Sequence, residues 1–259
     1  MELGPVVRFV EATGGSVASI RSDRLPVAST SMWTRSAHPD ADEIPLRLHF
    51  EIKAALGFRH AVIVGHRTEV RRPSRVGDRI GSHQELRSVG ALGPTPLGPG
   101  RRWEVDLVLT DADGDALQVE TFSALGYRPE HRREGSTRQA ADLTGGPGQD
   151  PSWSDRTIAR AATACRVWAP VHHDPVVARR AGLPGVVACT QHLVSIIERS
   201  VGSLWAPGSM EVLDVRLRRP VVAGPAPQVA LDAGPGRRLA RVRIRQAGAL
   251  CCDATVLHR

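Results

Sequence analysis

No apolar run in this 259-residue sequence approaches the roughly 20 residues that a helix needs to cross a bilayer, so a membrane span is not expected. The first residues, Met1 to Pro5, lack the basic stretch and following apolar block of a secretory signal, which makes the cytoplasm the expected compartment. Lysine is almost missing: Lys53 is the only one among 34 basic residues, and the others are arginine. A formal net charge of +7 invites a polyanionic partner, because basic side chains supply most non-specific phosphate affinity. The arginines do not form the surface that such a partner needs. They are scattered, and in two denser groups (Arg216, Arg218 and Arg219; Arg237, Arg238, Arg241, Arg243 and Arg245) they alternate as solvent-facing strand positions do. Aromatic residues make up 4% of the chain and are nearly absent from these groups, which leaves little for a base to stack on. Nucleic acid is therefore not an expected partner. A milder reading is that one cluster, including that at Arg71, Arg72 and Arg75, meets the phosphates of a coenzyme A or carrier-protein arm. The four cysteines, Cys165, Cys189, Cys251 and Cys252, show no Cys-x-x-Cys spacing; reduced thiols are expected, and neither a metal nor another cofactor is implied.

The length suits two modules of about 110 to 130 residues, each able to bury a core. The expected division is 1–128, a linker at 129–153, and 154–259. The linker is polar, contains Gly145-Gly146-Pro147-Gly148 and has no period. In the first module a short helix over Val6 to Thr13 precedes a Ser-rich stretch, the least readable part of the chain. A helix follows over Leu46 to Leu56, closed by Gly57, and then strands at His60 to Val70, Asp78 to Val89, Arg102 to Thr110 and Ala116 to Tyr127. Asp111 to Asp115 has the Asp-Gly chemistry of a tight hairpin. The second module repeats the pattern: helices at Asp155 to Ala164, Asp174 to Ala181 and Thr190 to Val201, then strands at Met210 to Arg218, Gln228 to Asp232, Arg238 to Gln246 and Leu250 to His258. Helices followed by antiparallel strands, twice, give a duplicated α+β unit. Leu193, Val194, Ile196, Ile197 and Val201 make a stripe broad enough for a helix wrapped by a curved sheet. The polar first turn, Thr190-Gln191-His192, would then project toward a ligand with unpaired amide groups at its end.

The informative segment runs Cys165-Arg166-Val167-Trp168-Ala169-Pro170-Val171-His172-His173-Asp174-Pro175 and continues to Ala178, Gly182-Leu183-Pro184-Gly185-Val186. Pro170, Val171, His172, Asp174, Ala178, Gly182, Pro184 and Gly185 match by type and spacing the signature of the MaoC-like hydratases and dehydratases, which the segment resembles. Arg75-Val76-Gly77-Asp78-Arg79-Ile80, with the later hairpin, is similar to the degenerate first module of two-module members. The resemblance implies an α+β double hot-dog fold: two antiparallel sheets, each wrapped around a central helix, joined edge to edge. Leu46 to Leu56 and Thr190 to Val201 are the expected central helices. It also implies a small-molecule acyl or polyketide substrate, carried on coenzyme A or an acyl carrier protein, with His172 as the catalytic histidine. Val167, Trp168, Ala169, Cys189, Thr190 and Gln191 are the expected substrate-binding positions. Two hot dogs in one chain can form the pseudo-dimer that single modules make from two; a homodimer of the whole chain stays open.

The chemistry explains the parts. A proton next to a thioester carbonyl is weakly acidic, so removing it needs a positioned base and donors aimed at the oxygen that becomes negative. This sequence departs from the signature where the acid belongs: Val167 stands in place of the family's Asp, Ala169 in place of its Asn, and Cys189-Thr190-Gln191 in place of His-Gly-Met. The expected reading is a remodelled hydratase or dehydratase. The alternatives are a cyclase or isomerase of natural-product biosynthesis, or a non-catalytic ligand-binding or partner subunit. Simpler roles stand beside each residue. Asp174-Pro175 reads as a helix N-cap with Pro at the first helical position, and Gly182 as the matching C-cap. Cys165 and Cys189 read as small apolar fillers. His173 reads as a partly exposed neighbour, and His60 and His66 as surface or satisfied core positions.

Overall fold

Alternating strands with one apolar face must cover that face, and here eight of them do so as one sheet. The computed structural model describes residues 1–20, 24–35, 46–128, 153–205 and 209–258. The strands are β1 (His60–Val70), β2 (Gly81–Val89), β3 (Gly100–Thr110), β4 (Ala116–Tyr127), β5 (Met210–Leu217), β6 (Gln228–Ala233), β7 (Leu239–Gln246) and β8 (Ala249–His258). Their order is β2-β3-β4-β1-β5-β8-β7-β6, antiparallel throughout. The four strands of residues 60–127 thus meet the four of residues 210–258 at the β1–β5 seam, where Gly65 to Glu69 pair with Arg216 to Val212. The β3–β4 hairpin turns as its sequence suggests: Asp111 Oδ1 accepts from the Asp113 and Asp115 amides, and Gly114 takes φ 89°. Arg216, Arg218, Arg241 and Arg245 are exposed on the outer side, and Arg243 pairs there with Asp232.

The helices are α1 (Leu3–Ala12), α2 (Val27–Thr30), α3 (Arg47–Ala55), α4 (Asp155–Ala164), α5 (Pro175–Arg180) and α6 (Thr190–Val201). α6 is the wrapped helix: Gln191 to Ile197 and Val201 are all buried, and it shares a core with β5, β7 and β8. α3 is different. It buries only His49 and Ile52, while Phe50 stays 45% exposed, so the expected first central helix is half-covered rather than wrapped. Its charged positions, Arg47, Glu51 and Lys53, leave too narrow an apolar stripe for anything more.

The place beside α6 is taken by α1, in the region of the expected first helix, and by part of the Ser-rich stretch after it. Val6, Phe9, Val10, Leu25, Val27, Ala28 and Met32 pack into the core of α4 and α6. Two backbone amides of α2 are held by a side chain of α6: Glu198 accepts from Val27 N at 2.8 Å and from Ala28 N at 3.2 Å. Ser195 Oγ reaches Thr13 Oγ1 at 2.9 Å. The expected linker lies outside the described residues except for Trp153, which is core: its indole donates to the Val222 carbonyl at 2.8 Å and packs on His192. No helix among the described residues is long and apolar enough to cross a membrane.

Candidate functional site

The segment between α4 and α6 is built from caps and turns that hold its side chains in place. α4 is followed by its C-cap Cys165, and Arg166 takes the left-handed region at φ 53°, turning the chain. A 3₁₀ turn over Pro170–His172 follows. Asp174 then caps α5, its Oδ1 accepting from Val176 N at 2.6 Å and Val177 N at 3.2 Å, with Pro175 supplying the preset φ of the first helical position. Gly182 leaves the helix at φ 80°. The returning strand-like piece is pinned on both sides: Val187 N donates to Val171 O, and Val187 bridges Val222.

This frame fixes His172. Its Nδ1 lies 2.8 Å from the Val187 carbonyl, which can only accept, so Nδ1 carries the proton and Nε2 is left with its lone pair. The ring is part-buried, and burial lowers its pKa below the ordinary histidine value; the Val187 carbonyl works the other way, and the charges of His173 and Arg35 lower it further. A neutral imidazole with a free Nε2 is the form a base needs. His173 faces elsewhere: its Nε2 donates to the Val167 carbonyl at 2.7 Å and its ring stacks on Trp168, tying the loop together.

The other expected positions separate. Val167 is partly buried against the α6 core, Cys189 is buried at the N-cap of α6 and Gln191 is buried. Trp168 and Thr190 are part-exposed, and Ala169 is exposed on the solvent side of the 3₁₀ turn. Among the described residues no group of three or more His, Cys, Asp or Glu side chains could hold a metal. All four cysteines are free thiols. Cys165 and Cys189 touch: their mutual hydrogen bond helps hold the Cys189 thiol below its ordinary value, while burial pushes Cys165 up.

Sequence reasoning passed over Arg35 entirely. It is 5% exposed, donates to the Cys165 carbonyl at 3.3 Å, and its charge acts on His172, Cys165, Cys189 and Glu120. Glu120 of β4 and His66 of β1 are also buried, their carboxylate and ring 3.4 Å apart. The alternation on β1 and β4 was the available signal, since it puts His66 and Glu120 on the inward side.

Among the described residues, eight antiparallel strands in two halves and one wrapped helix define a double hot-dog protein of the α+β class. No protein-family model and no curated protein matches the chain. Solved structures do. HtdX of Mycobacterium tuberculosis superposes with a TM-score of 0.67 at 16% identity, over 98% of this chain and 94% of that one. A MaoC-like dehydratase gives 0.69 at 17%, over 100% and 94%. A further M. tuberculosis protein with a double hotdog fold gives 0.52 at 13%, over 100% and 93%. The fold is thus the one found in MaoC-like dehydratases.

Proposed function

We propose that this chain is a remodelled MaoC-like enzyme that acts on an acyl thioester, carried on coenzyme A or an acyl carrier protein, with His172 as the base that moves the proton beside the thioester carbonyl. The observation that carries this reading is the anchoring of His172 Nδ1 on the Val187 carbonyl, which leaves a neutral Nε2 for chemistry. Val167 occupies the place where the resemblance puts an acid, so that partner for activating water is missing from the loop. A buried cation whose charge reaches His172 is Arg35, which bonds the Cys165 carbonyl. A guanidinium beside a neutral base favours negative charge developing on a carbonyl oxygen, the electrostatic requirement of enolate formation. The reading therefore favours proton transfer of the isomerase or cyclase kind on a polyketide-like chain over addition or removal of water. The residues proposed to line the substrate are Val167, Trp168, Cys189, Thr190 and Gln191, with Ala169 at the solvent edge.

Crotonyl-CoA, followed by loss of its conjugated thioester absorbance, tests this. One positioned acid or base is typically worth about 10²- to 10⁴-fold, so hydration by this chain is expected at least about a hundredfold below that of a MaoC-like enzyme that keeps the Asp. Rapid hydration that depends on His172 would overturn the remodelled reading in favour of a working hydratase.

A further inference from the structure

The inner face of the half-sheet formed by β1 to β4 is not uniformly apolar. His66 and Thr68 stand two apart on β1, Gln118 and Glu120 two apart on β4, and Thr68 lies opposite Glu120. None of the four is more than 3% exposed. Glu120 Oε1 accepts from Gln118 Nε2 at 2.7 Å, and Oε2 lies 3.4 Å from His66 Nε2. Burial pushes the Glu120 carboxyl up, but the hydrogen bond to His66 and the charge of Arg35 hold it below its usual value. The carboxylate therefore takes a proton donor at Nε2, and His66 Nδ1 is left as an acceptor.

Two atoms of this cluster have no partner among the described residues: His66 Nδ1 and Thr68 Oγ1. They belong to residues two apart on the same strand and the same face. A purely structural network leaves few such groups, because each unpaired buried polar atom costs free energy that an apolar isostere avoids. The cluster is also continuous with the candidate site, since Arg35 acts on both Glu120 and His172 and contacts Cys165, which touches Cys189 at the start of α6.

We infer that this cluster is the distal end of the substrate groove and recognises a hydroxyl group on the acyl chain, the hydroxyl donating to His66 Nδ1 and accepting from Thr68 Oγ1. The inference rests on the acyl-thioester reading above and names the class of chain. Glu120 already occupies the place as a carboxylate met by Gln118 and His66, so a neutral group suits it better than a second carboxylate. A ketone cannot donate to Nδ1, and a methylene can do neither.

The test is a fluorescence titration of the full chain with decanoyl-CoA, with decanoyl-CoA carrying a hydroxyl at carbon 5, 7 or 9, and with the matching ketones. One hydroxylated chain is expected to bind about tenfold more tightly than decanoyl-CoA and its own ketone, the scale of a single net hydrogen bond. Thr68→Val is expected to erase that preference without lowering the melting temperature, because the hydroxyl it removes has no partner. Glu120→Gln is expected to weaken the preference as well, and His172→Ala to keep it. Equal binding of all the chains by the wild type, or a preference that survives Thr68→Val, overturns the inference while leaving the acyl-thioester reading in place. Loss of preference together with a lowered melting temperature in Thr68→Val also counts against it, as the mark of a structural network. If none of the thioesters binds, both readings fall.

Discussion

A histidine acts as a base only while its imidazole is neutral, and the surroundings of His172 keep it so. Burial lowers its pKa, and the charges of His173 and Arg35 act in the same direction. The acid limb of any His172-dependent rate should therefore fall below the ordinary histidine value. Removing the Arg35 charge reverses one of those causes, so Arg35→Met is expected to move that limb to higher pH in a pH–rate profile. An unmoved limb would mean that the guanidinium does not reach the base. The local frame around His172 was legible in the sequence because Pro170, Asp174 and Gly182 lie in one contiguous motif, and the structure uses each of them locally. Arg35, His66 and Glu120 were not legible, because three separate segments, far apart in sequence, bring them together. Local pattern reports the inward side of a strand but not what meets it there.

At the scale of elements, the long periodic pieces were readable and the short ones were not. α4 and α6 occupy the residues that their apolar stripes predict, and β1 and β4 begin and end where their alternation does. β2 starts at Gly81 rather than Asp78, the turn before it running further than its sequence suggests. The stretch from 24 to 35 has no period because its helices are a turn or so long and are stabilised from outside. Glu198 does much of that by accepting two amides at the start of α2. Glu198→Ala removes those bonds and leaves two backbone donors unmet, at an expected cost of about 2 kcal/mol. Urea unfolding measures it. A loss well under 0.5 kcal/mol would mean that apolar packing alone seats the segment.

Over the whole molecule, the β1–β5 seam makes one sheet of two half-sheets, and buried imidazoles are found in both halves. His49 of α3 is lowered to about 4 by burial and by Lys53, and His192 of α6 to about 4 by burial and by Arg199. In the unfolded chain both titrate near 6.5. Between these values the unfolded chain binds protons that the folded chain refuses, so stability is fully present above pH 6.5 and declines as pH falls toward about 4. The loss is on the order of 2 to 3 kcal/mol per ring. Urea midpoints from about pH 7 to about pH 4.5 should fall accordingly, and less steeply in His192→Phe. Equal slopes in the two proteins would show that His192 is protonated in the fold.

The central claim is that His172 moves a proton beside a thioester carbonyl without adding water. Mass spectrometry of acyl-CoA incubated with the protein in D₂O reads that step directly, as deuterium gained at the carbon next to the carbonyl. The wild type is expected to exchange at least about a hundredfold faster than His172→Ala, the lower bound for one positioned base, while the variant unfolds within about 1 kcal/mol of the wild type. Equal exchange in the two proteins, or loss of exchange only because His172→Ala no longer folds, would contradict the account.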